Sequence, residues 1–427
     1  MSVPRLTDPW ELGPLRVPNR VLLAPLAGIG NWFVRLQAKR YGAGMAVSEM
    51  VSSYAIHYRN ERTCRELLRI HPEERTASPT SIQLFGQDPA VMRSAAAAVV
   101  AAGADAIDLN MGCPVPKVCK TGAGAALLAD PARAVAVARA AVEGAAEAAG
   151  ARAGERADAR GAGGVNGGAQ LTRAAGVPVT VKLRSGQRPG DTSGFELAHR
   201  LVEEAGVAAI AFHPRSAAVH HKGVPDYPLA ARLAESLPAP VILTGGMNDA
   251  EGIRATFART GVAAVMLARG CLGNPWLFEE LVGGAGGVRG ASGMDGASGM
   301  DGASGMDGAV EIGGAVEMGG AAEIGGAVEM SGAGGMGGPD GLRFHPTPAE
   351  VRAELDWVIA RAVEHLGAER AARYLRKFYP WYLPRLGLDR TQITRLQESL
   401  QASPTIAEAR RLLGLEREDS PSAALAA

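Results

Sequence analysis

Between residues 20 and 271, short β-forming runs recur with helix-forming stretches between them, and there are eight such runs. They are VLLAPLAG (21–28), AVSEM (46–50), SIQLFG (81–86), AIDLNMG (106–112), VTVKLR (179–184), AIAFHPR (209–215), PVILTGG (240–246) and AVMLARG (264–270). Stretches rich in Ala, Leu, Arg and Glu separate them, including 88–102, 130–146 and 194–205. Parallel strands need a long crossover, which a helix supplies. Eight strands alternating with helices predict a (β/α)8 barrel of the TIM type. An open doubly wound sheet is the runner-up, but no G-x-G-x-x-G follows the first run. A chain of 427 residues with 47% hydrophobic content can bury such a core and carry an appendage.

The rest of the chain divides by composition. Residues 283–343 repeat GASGMD and then GAVEIG-like hexads. Hexads can build a parallel β-helix. Glycine density and few bulky apolar residues predict a flexible acidic linker instead. A second soft stretch, 149–170, predicts a loop insertion within the barrel. Residues 344–416 predict a small all-α domain. Its first helix starts at Pro348 after Thr347, and Trp357, Ala360, Val363 and Leu366 follow at helical spacing. The expected organisation is therefore a barrel over 1–282, a linker over 283–343, a helical domain over 344–416 and a flexible tail over 417–427.

Formal net charge is zero, which alone would argue against a nucleic-acid partner. The average hides a split. Over residues 283–340, Asp295, Asp301, Asp307, Glu311, Glu317, Glu323, Glu329 and Asp340 face only Arg289. From Arg370 to Arg395, the positive residues Arg370, Arg373, Arg376, Lys377, Arg385, Arg390 and Arg395 face only Asp389. That basic stretch is interleaved with Tyr374, Phe378, Tyr379, Trp381 and Tyr382, a pattern suited to phosphate and base contact. About half of these aromatics are expected in the domain's own core. No apolar run approaches the roughly 18 residues of a membrane span, and the first residues lack a basic-then-apolar leader pattern. A cytoplasmic monomer is expected. The cysteines are Cys64, Cys113, Cys119 and Cys271, with no C-x-x-C pair and no zinc spacing, so neither disulfide nor metal is expected.

In a barrel of this type the active site lies at the C-terminal strand ends. Those ends carry Pro25 to Gly28, Glu49, Gln83, Asn110, Cys113, Lys182, Arg184, His213, Arg215, Gly245, Gly246 and Arg269. Glycines after the seventh and eighth strands let backbone N–H groups approach a phosphate, and Arg269 adds a charge-assisted contact. Lys182 points opposite to Val181 and Leu183, into the barrel. A buried charge needs a partner: either an anion such as a reduced flavin, or an ion pair with Asp108 or Glu49. Gln83 is placed to bond the flavin's amide edge, and His213 the ring or the phosphate. Cys113, between Gly112 and Pro114, is either a proton donor or a covalent nucleophile. The absence of an obvious local base favours the donor.

These motifs resemble the tRNA-dihydrouridine synthases. The segments LAPLAGIGNWFVR, SEM, QLFGQDP, DLNMGCPVPKVCKTGAGAALLADP, VTVKLRSG, HPRS and LARGCLGNPWLF occur in that family's order. The likeness spans 11–282 outside 149–170 and resumes at RKFYPWYL. It implies an FMN barrel with a helical RNA-binding domain, reducing the 5,6 double bond of chosen tRNA uridines. NADPH or NADH would re-reduce the flavin. It implies Cys113 as proton donor to C5 while flavin N5 gives hydride to C6. It places FMN contacts at Pro25, Leu26, Ala27, Gln83, Lys182, His213, Thr244, Gly245, Gly246, Ala268 and Arg269. Asn110, Arg184 and Arg215 would line the substrate mouth, and Arg373, Arg376 and Lys377 would meet tRNA. The sequence departs from the family at Leu26 (usually Met), at Thr244-Gly245-Gly246 (usually Asn-Gly-Asp) and at Ala268 (usually Gly), where an added methyl is expected to crowd the phosphate. The competing readings are an FMN barrel acting on a free pyrimidine-like molecule, and a non-catalytic RNA-binding relative.

Overall fold

The structure is a computed structural model and describes residues 4–160, 176–283 and 346–415. The acidic hexads from 284 onward, residues 161–170 of the expected insertion and the tail lie outside the described residues.

A hairpin, β1 (Trp10–Leu12) and β2 (Leu15–Val17), precedes eight parallel strands. These are β3 (Val21–Leu23), β4 (Met45–Ser52), β5 (Thr80–Phe85), β6 (Ala106–Met111), β7 (Val179–Arg184), β8 (Ala209–His213), β9 (Val241–Thr244) and β10 (Ala264–Leu267). They pair in chain order, and β10 closes onto β3, giving a closed barrel. Each of the eight expected runs is one of these strands.

The hairpin was not foreseen, and its role is packing. Trp10, Leu12 and Val17 cluster with Leu22, Met45, Val47, Ala106, Ala209, Ala211, Ile242, Ala264 and Met266. Four of those strand positions are alanine, so the barrel interior is under-filled by its own strands. The hairpin supplies the missing volume, in keeping with close-packed interiors. Strand β4 carries a register shift between Val47 and Met50. There the Ser48 hydroxyl accepts from Gln83 N at 3.0 Å, replacing a ladder bond.

One expectation is corrected. Helix Pro131–Arg160 continues well past residue 149, where a loop was expected. Ala, Arg and Glu are strong helix formers, and they outweigh the glycines over this stretch. The helix packs on Pro89–Ala101 through small residues, and Gly144 approaches so closely that a Cβ would lie 2.3 Å from Arg93 O.

The helical domain begins at Pro348, with Thr347 and Glu350 forming a reciprocal cap. Its buried stripe is Val351, Leu355, Val358, Ile359 and Ala362, and the series from Trp357 to Leu366 lies on the same helix beside it. A strict three-residue step falls short of the 3.6-residue turn, so that series winds off one face. The domain docks on the first barrel helix, Trp32–Arg40. Gln37 Nε2 donates to Glu354 (2.7 Å) and to Tyr382 Oη (2.9 Å). Arg370 forks onto Glu66 at 3.0 and 2.9 Å. Phe378 and Tyr382 are buried against this barrel helix, Tyr379 is buried as well, and Tyr374 and Trp381 are partly exposed. Among the described residues no helix is long and apolar enough to cross a membrane.

Candidate active site

The end of β6 delivers the thiol. After Met111 the chain turns, and the Asn110 side chain makes the turn. Its Oδ1 accepts from Gly112 N (3.2 Å) and Cys113 N (2.9 Å). Its Nδ2 donates to Gln83 Oε1 at 3.0 Å. Gln83 Nε2 donates to Asp108 Oδ2, and Thr180 Oγ1 to Asp108 Oδ1, each at 2.6 Å. Four side chains from β5, β6 and β7 thus form one chain of bonds ending at the Cys113 backbone. Gly124 packs against it; a Cβ there would meet Cys113 O at 2.7 Å.

Cys113 is half-buried. Burial pushes its thiol above the ordinary cysteine value. The Val115 N–H and the charges of Arg184 and Lys182 pull the other way and do not win. The sulfur therefore keeps its proton at neutral pH. That suits a proton donor better than a nucleophile, which works as the thiolate.

The opposite half of the mouth is cationic. Lys182 lies inside the barrel as its alternation with Val181 and Leu183 predicts. Burial and then Arg184 push its ammonium well below the ordinary lysine value, against the pull of Asp108 and Cys113. Among the described residues that ammonium has no hydrogen bond and no ion pair. The expected alternative, a direct ion pair with Asp108, does not form: Thr180 and Gln83 donate to the two carboxylate oxygens, and Asp108 acts on Lys182 only through its field. His213 sits beside it with Arg215 Nη1 at 3.2 Å from Nε2. Burial, then Lys182, Arg184, Arg215 and His221, hold this imidazole far below its ordinary value, so it is neutral.

The loops after β9 and β10 carry the glycines. Gly245 and Gly246 take φ of 100° and 78°, which side chains resist. A Cβ at Gly245 would lie 2.5 Å from the His213 ring, and one at Gly246 2.3 Å from Tyr227 Oη. Thr244 before them is buried. Ala268 has φ −121°, outside the left-handed region that calls for glycine. Arg269 is exposed beside it. After β3, which pairs with β10, Leu26 is buried and its carbonyl takes Gly30 N at 2.7 Å. Pro25 is partly exposed and Ala27 exposed. Gly28 N donates to Glu49 Oε2 at 2.9 Å.

Several expected contacts take a different role. Arg184 is buried and donates to the carbonyls of Gly112 (3.0 Å), Ser216 (3.0 Å) and His220 (2.7 Å). It ties the β6 loop to the β8 loop instead of facing substrate. Arg215 donates twice to Gly223 O, at 3.2 and 2.6 Å. Gln83 is buried, with its amide engaged at both ends. In the helical domain Arg376 is half-buried and holds Ser403 O at 3.0 Å. Arg373 is exposed and pairs with Glu369 at 3.0 Å. Lys377 alone of the three reaches the barrel rim, with Nζ 3.4 Å from Gly28 O. Asp108 and Thr180 were missed as organising residues. The available signal was an aspartate in mid-strand, with apolar neighbours on both sides in AIDLNM.

The arrangement fits a phosphate-bearing anion. A cradle of glycines, the Lys182 ammonium and Arg269 face one mouth, and the side chains that would crowd the cradle are absent at Gly245 and Gly246.

The family model described as Dihydrouridine synthase matches residues 22–147 and 167–284. The tRNA-dihydrouridine synthase B of Pseudomonas aeruginosa is 36% identical over 271 residues, covering 64% of this chain and 71% of that protein. The probable tRNA-dihydrouridine synthase 1 of Synechocystis is 35% identical, covering 64% and 67%. The probable tRNA-dihydrouridine synthase of Treponema pallidum is 35% identical, covering 64% and 74%.

Proposed function

Since the chain belongs to the dihydrouridine synthase family, we propose that it reduces the C5=C6 bond of uridines in tRNA, with FMN in the barrel mouth and NADPH as reductant. The observation that carries this reading is the pairing of a protonated thiol with a cationic, glycine-lined cradle. Lys182, Arg269 and the backbone at Gly245 and Gly246 would hold the phosphate-bearing cofactor, and His213 would pack beside it. When bound, FMN supplies the hydride equivalent. Cys113 Sγ holds the proton destined for C5, and Asn110 fixes where that sulfur points. Positioned proton transfer of this kind contributes roughly 10²–10⁴-fold to a rate.

A uracil inside a stacked helix cannot bring C5 to this sulfur. The base must leave its stack, and contacts with the RNA backbone offset that cost. Arg373 and Lys377 are the exposed basic residues of the helical domain best placed for such contacts. The test uses the purified full-length protein, an unmodified tRNA transcript and NADPH. Dihydrouridine is measured in the digested RNA. Its absence with flavin present and reducible would sink this reading. Turnover of free uracil in its place would indicate the small-molecule alternative.

A further inference from the structure

An aromatic surface lies on the rim beside the thiol, and the chemistry described so far does not use it. Helix Ser53–His57 starts where β4 ends. Tyr54 and Tyr58 stack there at 6.4 Å and 27°, with His57 edge-on to Tyr58 at 5.0 Å. Tyr58 is 74% exposed. Tyr54 is held from behind by Gln87 Nε2, which donates to its hydroxyl at 3.2 Å. The Gln87 side chain lies against Gly122, whose N donates to Cys119 O. Cys119 Sγ in turn donates to Cys113 O at 3.3 Å. A continuous set of contacts therefore runs from the Cys113 backbone to the tyrosine pair.

Backbone strain marks the same place. Arg59, next to Tyr58, has φ 52°, an unfavourable region for a residue with a Cβ. Among the described residues the other non-glycine in that region is His220. It lies on the opposite rim and accepts from Arg184. Strained backbone clusters at ligand clamps. Arg59 and Lys120 are exposed on this side of the mouth and give it positive charge.

We propose that Tyr58, backed by Tyr54, is a stacking platform for a nucleobase neighbouring the extruded uridine; this rests on the tRNA reading above. Extrusion strips one face of each neighbouring base of its stacking partner. A planar side chain at the rim restores that contact, and it does so without reading sequence because every base has a π-face. An exposed tyrosine held by a second ring also loses little freedom on binding.

The test compares wild type, Tyr58→Ala and Tyr58→Phe, each flavin-loaded and full length, against one unmodified tRNA transcript. Tyr58→Ala should weaken transcript binding on the order of 10-fold, which corresponds to ~1.4 kcal/mol. Tyr58→Phe should stay within about twofold, because the π-face survives. NADPH-driven flavin reduction without RNA should be equal in all three. Unchanged transcript affinity in Tyr58→Ala would overturn the platform, as would equal losses in both variants, which would assign the effect to the hydroxyl. If wild type forms dihydrouridine on the transcript, those outcomes leave the tRNA reading intact. If wild type forms none, that reading falls and the platform with it.

Discussion

The two halves of the barrel mouth are finished to different degrees. On the β5–β7 side, Thr180, Asp108, Gln83 and Asn110 bond one another and the Cys113 backbone, so the polar atoms there find partners inside the protein. On the β7–β10 side, Lys182 and Arg269 carry charge that the described residues do not neutralise, and His213 is kept neutral among cations. The first half fixes geometry. The second stores electrostatic cost that only an arriving anion relieves, since a buried charge without a partner is expensive. One half is preorganised for aim, the other for binding.

The largest expected effect comes from breaking the finished half at its end. Cys113→Ala removes the proton and nothing that holds the cofactor. Dihydrouridine formation should fall by about 10²–10⁴-fold, while flavin content and NADPH-driven flavin reduction stay at wild-type levels. Product formed at the wild-type rate would remove the thiol from the chemistry. Equal loss of bound flavin would show that the two halves are not separable.

Next in size is Arg184, whose assignment separates the two halves most sharply. The sequence reading put it at the substrate. Its three carbonyl partners make it a brace between the β6 and β8 loops. Arg184→Ala leaves buried acceptors unpaired, and the loss should be about 2–3 kcal/mol, read as a lower denaturation midpoint in the flavin-free protein. A variant with unchanged stability and only a raised KM for tRNA would return Arg184 to the substrate.

Much of this was legible in the sequence, and for identifiable reasons. Alternating strands and helices write themselves into composition, so all eight barrel strands were placed. Lys182 was placed inside because its neighbours alternate with it. Other features depend on contacts between residues distant in sequence. Nothing local tells a strand-end arginine that faces a ligand from one that holds loop carbonyls: Arg184 braces two loops, and Arg215 holds Gly223 O within its own loop. The hairpin was missed because three-residue strands carry too little periodicity. The helix through Arg160 was missed because its glycines were weighed above its alanines. In the helical domain, Arg370 and Arg376 counted as a basic patch, yet Glu66 and Ser403 claim them.

The unfinished half can be probed by pH. Burial holds the Lys182 charge below the ordinary lysine value of 10.5. Over the interval between its lowered value and 10.5, the unfolded chain binds the proton and the folded one does not. Stability of the empty protein should therefore rise with pH across that interval. Affinity for the anionic cofactor should fall across it, as the ammonium is lost. Lys182→Met should weaken FMN binding roughly 10-fold or more, in the range of a charge-assisted bond, and should flatten both slopes. If FMN affinity in wild type is flat over that interval, Lys182 is not the anion's partner.

The smallest effect belongs to the helical domain, where a third arrangement holds: exposed charges already paired. Arg373 has Glu369 beside it in open solvent, and such pairs contribute little. Arg373→Ala should weaken tRNA binding about two- to threefold at low salt, with the difference shrinking as salt rises. Titrating binding against salt for wild type and variant measures this directly. A loss that persists at high salt would mean Arg373 makes a specific contact instead of a diffuse one. The basic stretch would then resemble the unfinished half of the mouth, with charge held ready for one partner.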